Sequence, residues 1–289
     1  MHTLETPRTL SIKGLLPGAL LMLVVAVTGS VTESQVAASP FRASAAVSSP
    51  LRRDRRNGTK TILAPVAPKQ KPVLPVLAQK DILPVHQRIA DDVLKLFPYA
   101  CRQTLENFYV RYDTSMGRRG YAGKSTIMLD GRVPPKEYAQ LVGHEMGHVT
   151  DLGCLTGNPK SGPSWFMDGD EMIYFDDPSV DFYKISWIDA TTKKPWVSKE
   201  GFLSEYGMSD AFEDISEAIT YALFHIDAFE ARAKESPVIA AKLKWIRTHV
   251  IQKGVYVARG TPWGGDIPWD ITKLDYDAKG LLAKTTDSL

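Results

Sequence analysis

The spacing of apolar and polar positions predicts regular structure from about residue 84 onwards. Apolar residues recur at helical intervals over 86–97, which predicts an amphipathic helix. Two stretches rich in aromatic and β-branched residues, 105–112 and 125–130, predict strands, and the Gly-rich basic stretch between them, 116–123, predicts a loop.

Three longer helices are predicted farther along by apolar periods of three and four residues. The first opens at Pro134 and Pro135, where proline suits a first helical turn, and ends near Gly153. The second follows Asp210, a suitable cap, and the third spans 237–251. We therefore predict an α+β fold, with a small mixed sheet packed on the first of these helices and a mainly helical C-terminal part. A strand just before that helix would offer its edge to an extended peptide.

The N-terminal residues follow a different pattern. Arg8 and Lys13 precede an apolar run over 15–27 and then small residues, which is the layout of a secretory signal. The run is shorter than the roughly 20 apolar residues of a spanning helix, although an uncleaved stretch could act as an anchor. We predict a signal peptide or N-terminal anchor over 1–36, and hence a secreted or membrane-anchored, extracytoplasmic protein.

Behind this run, 37–83 is rich in Pro, Ala, Ser and Arg and predicts a disordered linker. The arginine cluster at 52–56 either contacts anionic lipid or cell-wall polymer, which would associate the N-terminus with the membrane or cell envelope, or is simply solvated. We predict the folded domain over 84–255 and a C-terminal extension over 256–289, whose tryptophans either bind sugar or peptide or pack along the domain.

Composition narrows the function classes. The chain has 289 residues, 44% of them hydrophobic, which is enough for one catalytic domain with appended segments. Residues 1–80 hold 11 Lys/Arg and 3 Asp/Glu, so the remainder holds 24 and 30 and is acidic, which argues against nucleic-acid binding. Cys101 and Cys154 are too few for a disulfide scaffold; one bridge in an exported protein and two thiols both stay open.

The chemistry centres on the H-E-x-x-H pattern at 144–148, inside the helix that opens at Pro134. Residues four apart share a helix face, so His144 and His148 can bind one Zn²⁺. Glu145 lies one residue along, where its carboxylate can take a proton from water. The alternative is a helix with two structural histidines and a surface glutamate, because the bare pattern also occurs by chance.

A catalytic zinc site usually has a third protein ligand, and three sources compete for it. Cys154 lies six residues after His148, but a thiolate there would favour a closed, inhibited site. A second source is a group of acidic residues without helical spacing: Asp168, Asp170, Glu171, Asp176, Asp177 and Asp181. The third source is Glu213 with Glu217, four residues apart on the helix that follows Asp210.

Glu213 and Glu217 place two like charges on one helix face, which is unfavourable unless a cation or partner compensates. Coordination by Glu213, with Glu217 accepting the outer N–H of a zinc-bound histidine, would remove that cost. We therefore predict Zn²⁺ as the cofactor, with His144, His148 and Glu213 as its ligands and Glu217 behind them. Two solvated glutamates are the alternative.

These motifs, with Ser-x-Tyr-Gly at 204–207, resemble the glutamate-ligand zincins, or gluzincins, in particular the lethal-factor-like metallopeptidases. The stretch 176–187 is also similar to poorly characterised bacterial zinc-binding metallopeptidases. The resemblance covers about 82–249 and implies a zincin-like metallopeptidase domain, Glu213 as third ligand, Glu217 behind it, and Tyr206 as the hydroxyl that stabilises the oxyanion. Ser216 stands where Ala is commoner, and the interval between the two helices is longer than in lethal factor.

The implied function is zinc-dependent hydrolysis of peptide bonds in exported or cell-envelope proteins and peptides, by an endopeptidase rather than an exopeptidase. Glu145 would act as general base and Tyr206 as oxyanion donor. His225 competes for the second role, with a satisfied core histidine as its alternative. Arg118 and Arg119 either bind a substrate carboxylate or are solvated. A catalytically silent zincin-like domain that acts as a cell-envelope binding or scaffold module is the alternative function.

Overall fold

The computed structural model describes residues 81–278. The predicted signal or anchor, all but the last three residues of the predicted linker, and residues 279–289 of the predicted extension lie outside this range. Among the helices of the described range, none combines the length and the apolar character that crossing a bilayer requires.

The first part of the described chain combines two helices with a three-stranded sheet. Its elements are α1 (Pro84–Leu94), α2 (Tyr99–Thr104), β1 (Asn107–Arg111), β2 (Gly120–Ala122) and β3 (Thr126–Asp130). In the sheet, β3 is central, parallel to β1 and antiparallel to β2. The two predicted strands correspond to β1 and β3, whereas β2 forms inside the stretch predicted as a loop.

The motif helix, α3 (Pro135–Val149), follows β3 and packs against β2, β3 and α1. It continues into a π-helical turn, Thr150–Cys154, so the helical segment ends within one residue of the predicted stop near Gly153. This turn places Cys154 beside Cys101 of α2, and the two form a disulfide with their Cα atoms 4.9 Å apart. Of the two alternatives left open for the cysteines, the structure has the bridge.

The interval between the two motif helices contains structure that the sequence pattern did not predict. It holds a hairpin, β4 (Pro163–Asp168) and β5 (Glu171–Tyr174), and a short helix, α4 (Pro178–Ser186). Three helices follow: α5 (Ala211–Phe224), α6 (Ile226–Glu235) and α7 (Pro237–His249). The described residues therefore form a mixed α+β fold, with a small mixed sheet on α3 and a mainly helical part after it.

Candidate metal centre

The two helices that carry the candidate ligands approach closely at two glycines of α3. A Cβ at Gly147 would lie 3.1 Å from the Cα of Ser216 on α5, and a Cβ at Gly143 would lie 3.1 Å from the ring of Phe224. Ser216 is itself fully buried at this contact. Small residues on both helices thus allow α3 and α5 to pack at the distance that brings their polar side chains together.

The three predicted ligands converge across this contact. Asp210 caps α5 by accepting the backbone N–H of Glu213 at 2.8 Å, so Glu213 lies in the first turn of the helix. Its Oε2 lies 3.1 Å from Nε2 of His144 and 3.5 Å from Nε2 of His148. The donor atoms of these three residues all lie within 4.8 Å of one another, and no other His, Cys, Asp or Glu trio within 81–278 has such geometry.

Glu217 lies one turn further along α5 and is fully buried. Its Oε1 lies 3.0 Å from Nδ1 of His144, and its Oε2 accepts the backbone N–H of Ile271 at 3.1 Å. A carboxylate in contact with Nδ1 favours the tautomer in which Nδ1 carries the proton. The lone pair of His144 Nε2 is then directed at Glu213 and available to a cation.

An unpaired buried oxygen indicates that His144, His148 and Glu213 fit a divalent cation. Glu213 Oε2 is buried and has no hydrogen bond, although two imidazole nitrogens face it. A buried oxygen in this condition costs free energy unless another partner satisfies it. Burial alone would raise the pKa of Glu213, but its contacts with His144 and His148 lower that pKa well below the usual range. Two imidazoles and one carboxylate are a donor set that Zn²⁺ takes in catalytic sites.

The side chain of Glu145, on α3, extends towards β2, and the residue is 5% exposed. A Cβ at Gly120 of β2 would lie 2.0 Å from Glu145 Oε1, so a side chain there would displace the carboxyl group from this position. Burial raises the pKa of Glu145, and the neighbouring His144 and His148 oppose that rise. A raised pKa suits a carboxyl group that takes and returns a proton near neutral pH.

Tyr206 lies on a short turn before α5, Tyr206–Met208, and borders the same cleft. Its hydroxyl donates to Glu213 Oε1 at 2.9 Å. Burial raises the pKa of Tyr206, and the charge of Glu213 adds to the rise, so the hydroxyl keeps its proton. The group is therefore a hydrogen-bond donor beside the candidate ligands.

These side chains line a cleft of about 930 Å³ that β2 borders. We expected the strand just before α3 to supply a free edge, and that expectation was wrong because β3 is central in the sheet. Arg119 C=O and Gly123 N–H bond to β3. Because successive residues of a strand point their backbone groups to opposite sides, Gly120 and Ala122 direct theirs to the free edge of β2.

The paired arginines of the loop have different surroundings. Arg119 donates to Glu137 at 2.8 Å, to Thr272 Oγ1 at 2.7 Å, and to Asp270. Arg118 borders the cleft, with its guanidinium 5.7 Å from the Tyr121 ring. Only Arg118 of the pair is therefore left without an ion-pair partner among the described residues.

The competing ligand sources do not form a donor group in the described chain. Cys154 is consumed by the disulfide and supplies no thiolate. Asp168 and Glu171 border the cleft from the β4–β5 hairpin, where Glu171 pairs with Lys124. The remaining residues lie elsewhere: Asp176 and Asp177 accept backbone N–H groups, and Asp170 and Asp181 belong to no metal-binding trio within 81–278.

His225 ends α5 and does not line the cleft. Its Nε2 lies 2.8 Å from Gln140 Oε1, and Gln140 donates its own amide hydrogens to the carbonyls of Thr272 and Leu274. Nε2 of His225 must therefore be the donor of this pair. Burial lowers the pKa of His225 to about 4, so it is a neutral core histidine and not an oxyanion donor.

The C-terminal extension contributes to the site in a way that the sequence pattern missed. Trp269, Asp270 and Thr272 border the cleft, and Trp269 is 67% exposed. The one local signal is the Asp-x-Thr pattern, in which Asp270 accepts the Thr272 N–H at 2.8 Å and caps a short turn. Nothing in that pattern says which helices the turn packs against.

The chain matches no protein-family model, no curated protein and no solved structure.

Proposed function

We propose that this protein is a zinc-dependent metalloendopeptidase with a zincin-like domain of the gluzincin kind. His144, His148 and Glu213 would hold the ion, and Glu217 would orient His144. One observation carries the proposal: two imidazole nitrogens converge on a buried Glu213 oxygen that has no hydrogen bond, beside the buried Glu145.

The chemistry divides between the ion and the side chains around it. Bound zinc would lower the pKa of water and polarise a carbonyl group. Glu145 takes the proton of the attacking water and returns it to the leaving amine, which its raised pKa favours. The Tyr206 O–H group leaves Glu213 Oε1 and donates a hydrogen bond to the developing oxyanion.

The cleft favours an extended peptide as substrate. Gly120 and Ala122 would pair with its backbone along the free edge of β2. Residues from Gly117 to Lys124 border the cleft, and Gly120, in the middle of this range, contacts Glu145. A peptide can then continue on both sides of the scissile bond, which favours endopeptidase over exopeptidase activity.

The proposed location is outside the cytoplasm, with the protein secreted or attached by its N-terminus. The Cys101–Cys154 disulfide supports this location, since such bridges persist in oxidising compartments. The apolar run over 15–27 supports it independently. Proteins and peptides of the same compartment are the proposed substrates.

The test compares wild-type protein with Glu145→Gln in digestion of a peptide library, with and without a chelator. Wild type should bind one zinc per chain and cleave peptides in a chelator-sensitive way. Glu145→Gln should keep the zinc and lose at least about 100-fold in turnover, the usual contribution of a general base. Glu235→Gln, an exposed site at the end of α6, is the matched control and should behave like wild type.

Two results would contradict parts of this proposal. Substantial residual turnover in Glu145→Gln would show that Glu145 is not the base. A wild-type protein that binds zinc and cleaves no peptide would instead favour the silent binding module.

A further inference from the structure

Residues 268–274, which we call the C-terminal strap, contact groups from several parts of the candidate metal centre. Asp270, Ile271 and Thr272 are all at least 97% buried. The strap was predicted only as part of an extension that either binds a ligand or packs along the domain. Its contacts indicate a more specific role.

The central contact is the Ile271 N–H, which donates to Glu217 Oε2 at 3.1 Å. The other oxygen of Glu217 bonds to His144 Nδ1 at 3.0 Å. The two hydrogen bonds use one oxygen each, so together they determine how the carboxylate is rotated. Without the Ile271 N–H, Glu217 Oε2 would be a fully buried oxygen with no donor described, and the carboxylate could turn away from His144.

A second contact reaches the tyrosine beside the site. The backbone N–H of Tyr206 donates to Trp269 C=O at 2.8 Å, and the preceding N–H, of Glu205, donates to Pro268 C=O at 2.9 Å. The strap thus pairs with the turn that carries Tyr206. It contacts both the outer partner of His144 and the proposed oxyanion donor.

The strap is itself attached to the elements on the other side of the cleft. Asp270 forms an ion pair with Arg119, the residue before β2, and Arg119 also donates to Thr272 Oγ1 at 2.7 Å. Gln140 of α3 donates to the carbonyls of Thr272 and Leu274 at 3.0 and 2.9 Å. Displacement of the strap would therefore break contacts with β2, α3 and α5 together.

We propose that the C-terminal strap is a positioning element of the metal site, which orients His144 through the Ile271 N–H and Glu217. The inference rests on the proposed zinc site. It adds a requirement that the ligands alone do not impose: zinc affinity depends on one backbone N–H of the extension.

Ile271→Pro removes this N–H with little change in backbone shape. Ile271 is the first residue of a short turn, Ile271–Lys273, where proline is well tolerated, and Asp270 before it is extended at φ −151° and ψ 128°. Thr114→Pro is the control for proline at the first position of such a turn; Thr114 is exposed, whereas Ile271 is buried. Thr114 opens a similar turn, Thr114–Met116, capped by Asp113 through the Ser115 N–H, and this turn does not line the cleft.

The experiment measures zinc affinity of the full chain by competition with a chelating dye. Ile271→Pro should weaken binding by about tenfold or more, as loss of an outer partner does, and Thr114→Pro should leave it unchanged. The same proline is also tested in a Glu217→Ala background. There it should cause no further loss, because the acceptor of the N–H is gone.

Several outcomes would overturn the inference. The inference is overturned if Ile271→Pro binds zinc as tightly as wild type. It is also overturned if Ile271→Pro weakens zinc binding by the same factor in the Glu217→Ala background, because that result would indicate general damage to the fold. If Ile271→Pro does not fold, Asp270→Asn loosens the strap from Arg119 and gives the same comparison. A wild-type chain that binds no zinc would instead overturn the proposed function, and the inference with it.

Discussion

Replacement of Lys242 by Met should destabilise the helix that carries Glu213 and Glu217. Lys242 of α7 is fully buried and donates to both carboxylate oxygens of Asp214 on α5, at 2.7 Å each, and to Gly201 C=O at 2.9 Å. Asp214 also accepts from Trp187 Nε1 at 2.9 Å. The Lys242–Asp214 ion pair thus connects α5 to α7 and to the segments around Trp187 and Gly201.

The directions of the pKa shifts show that burial opposes the charged form of both partners. Burial lowers the pKa of Lys242 and raises that of Asp214, and their mutual attraction only opposes these shifts. Desolvation therefore outweighs attraction, so the pair as a whole adds little net stability. Removal of Lys242 alone leaves Asp214 buried without its counter-charge, which costs about 3–5 kcal/mol.

Urea denaturation at pH 7 measures this loss as a lower midpoint at an unchanged slope. The loss should be smaller at pH 4 than at pH 8, because a buried Asp214 without Lys242 is destabilising only in its ionised form. The double variant Asp214→Asn with Lys242→Met removes both charges and keeps an oxygen for Trp187. It should recover most of the lost stability.

A loss of less than about 1 kcal/mol in Lys242→Met, within the range of an exposed ion pair, would contradict a stranded buried charge at Asp214. A double variant as unstable as Lys242→Met would also contradict it, since the cost would then not come from the unpaired carboxylate.

Three further predictions concern stability. Burial raises the pKa of Asp151 to about 7, although the Tyr183 hydroxyl donates to both its oxygens. The free energy of unfolding should therefore fall as pH rises from about 4 to 7. Denaturation curves of Asp151→Asn should show up to about 4 kcal/mol less of this fall. His225 should titrate near pH 4 by NMR, so stability should fall by about 3 kcal/mol as pH drops from 6.5 to 4; a titration near 6.5 would contradict its burial. Replacement of Cys101 and Cys154 by Ala should cost about 4 kcal/mol, because the bridge spans 53 residues; an unchanged thermal midpoint would contradict this.

The sequence pattern predicted the elements whose apolar residues repeat regularly. The helix periods led to α3, α5 and α7, and β-branched residues led to β1 and β3. β2 was missed because glycines are typical of loops, whereas Gly120 lies in the strand against the Glu145 carboxyl group, which a side chain there would displace. The β4–β5 hairpin was missed because its outward-facing side is apolar, with Trp165 73% exposed, so the usual alternation of apolar and polar residues is absent.

For the candidate site, the sequence predicted the residues whose spacing carries chemical information. Two histidines four apart and two glutamates four apart each define a helix face, and the structure brings those faces together. The contacts of Ile271 and Trp269 could not be predicted in this way, because they use backbone groups that every residue has. Which backbone N–H meets Glu217 depends on the path of the C-terminal extension, and no periodic pattern encodes that path.

The most direct test of the proposed zinc site is the metal content and zinc affinity of wild-type protein beside Glu213→Ala. Three protein ligands predict one tightly bound zinc per chain in wild type. Glu213→Ala should bind zinc far more weakly, because only His144 and His148 would then remain as ligands. Zinc affinity that survives Glu213→Ala unweakened would contradict Glu213 as a ligand, and the proposed gluzincin-like site would have to be abandoned.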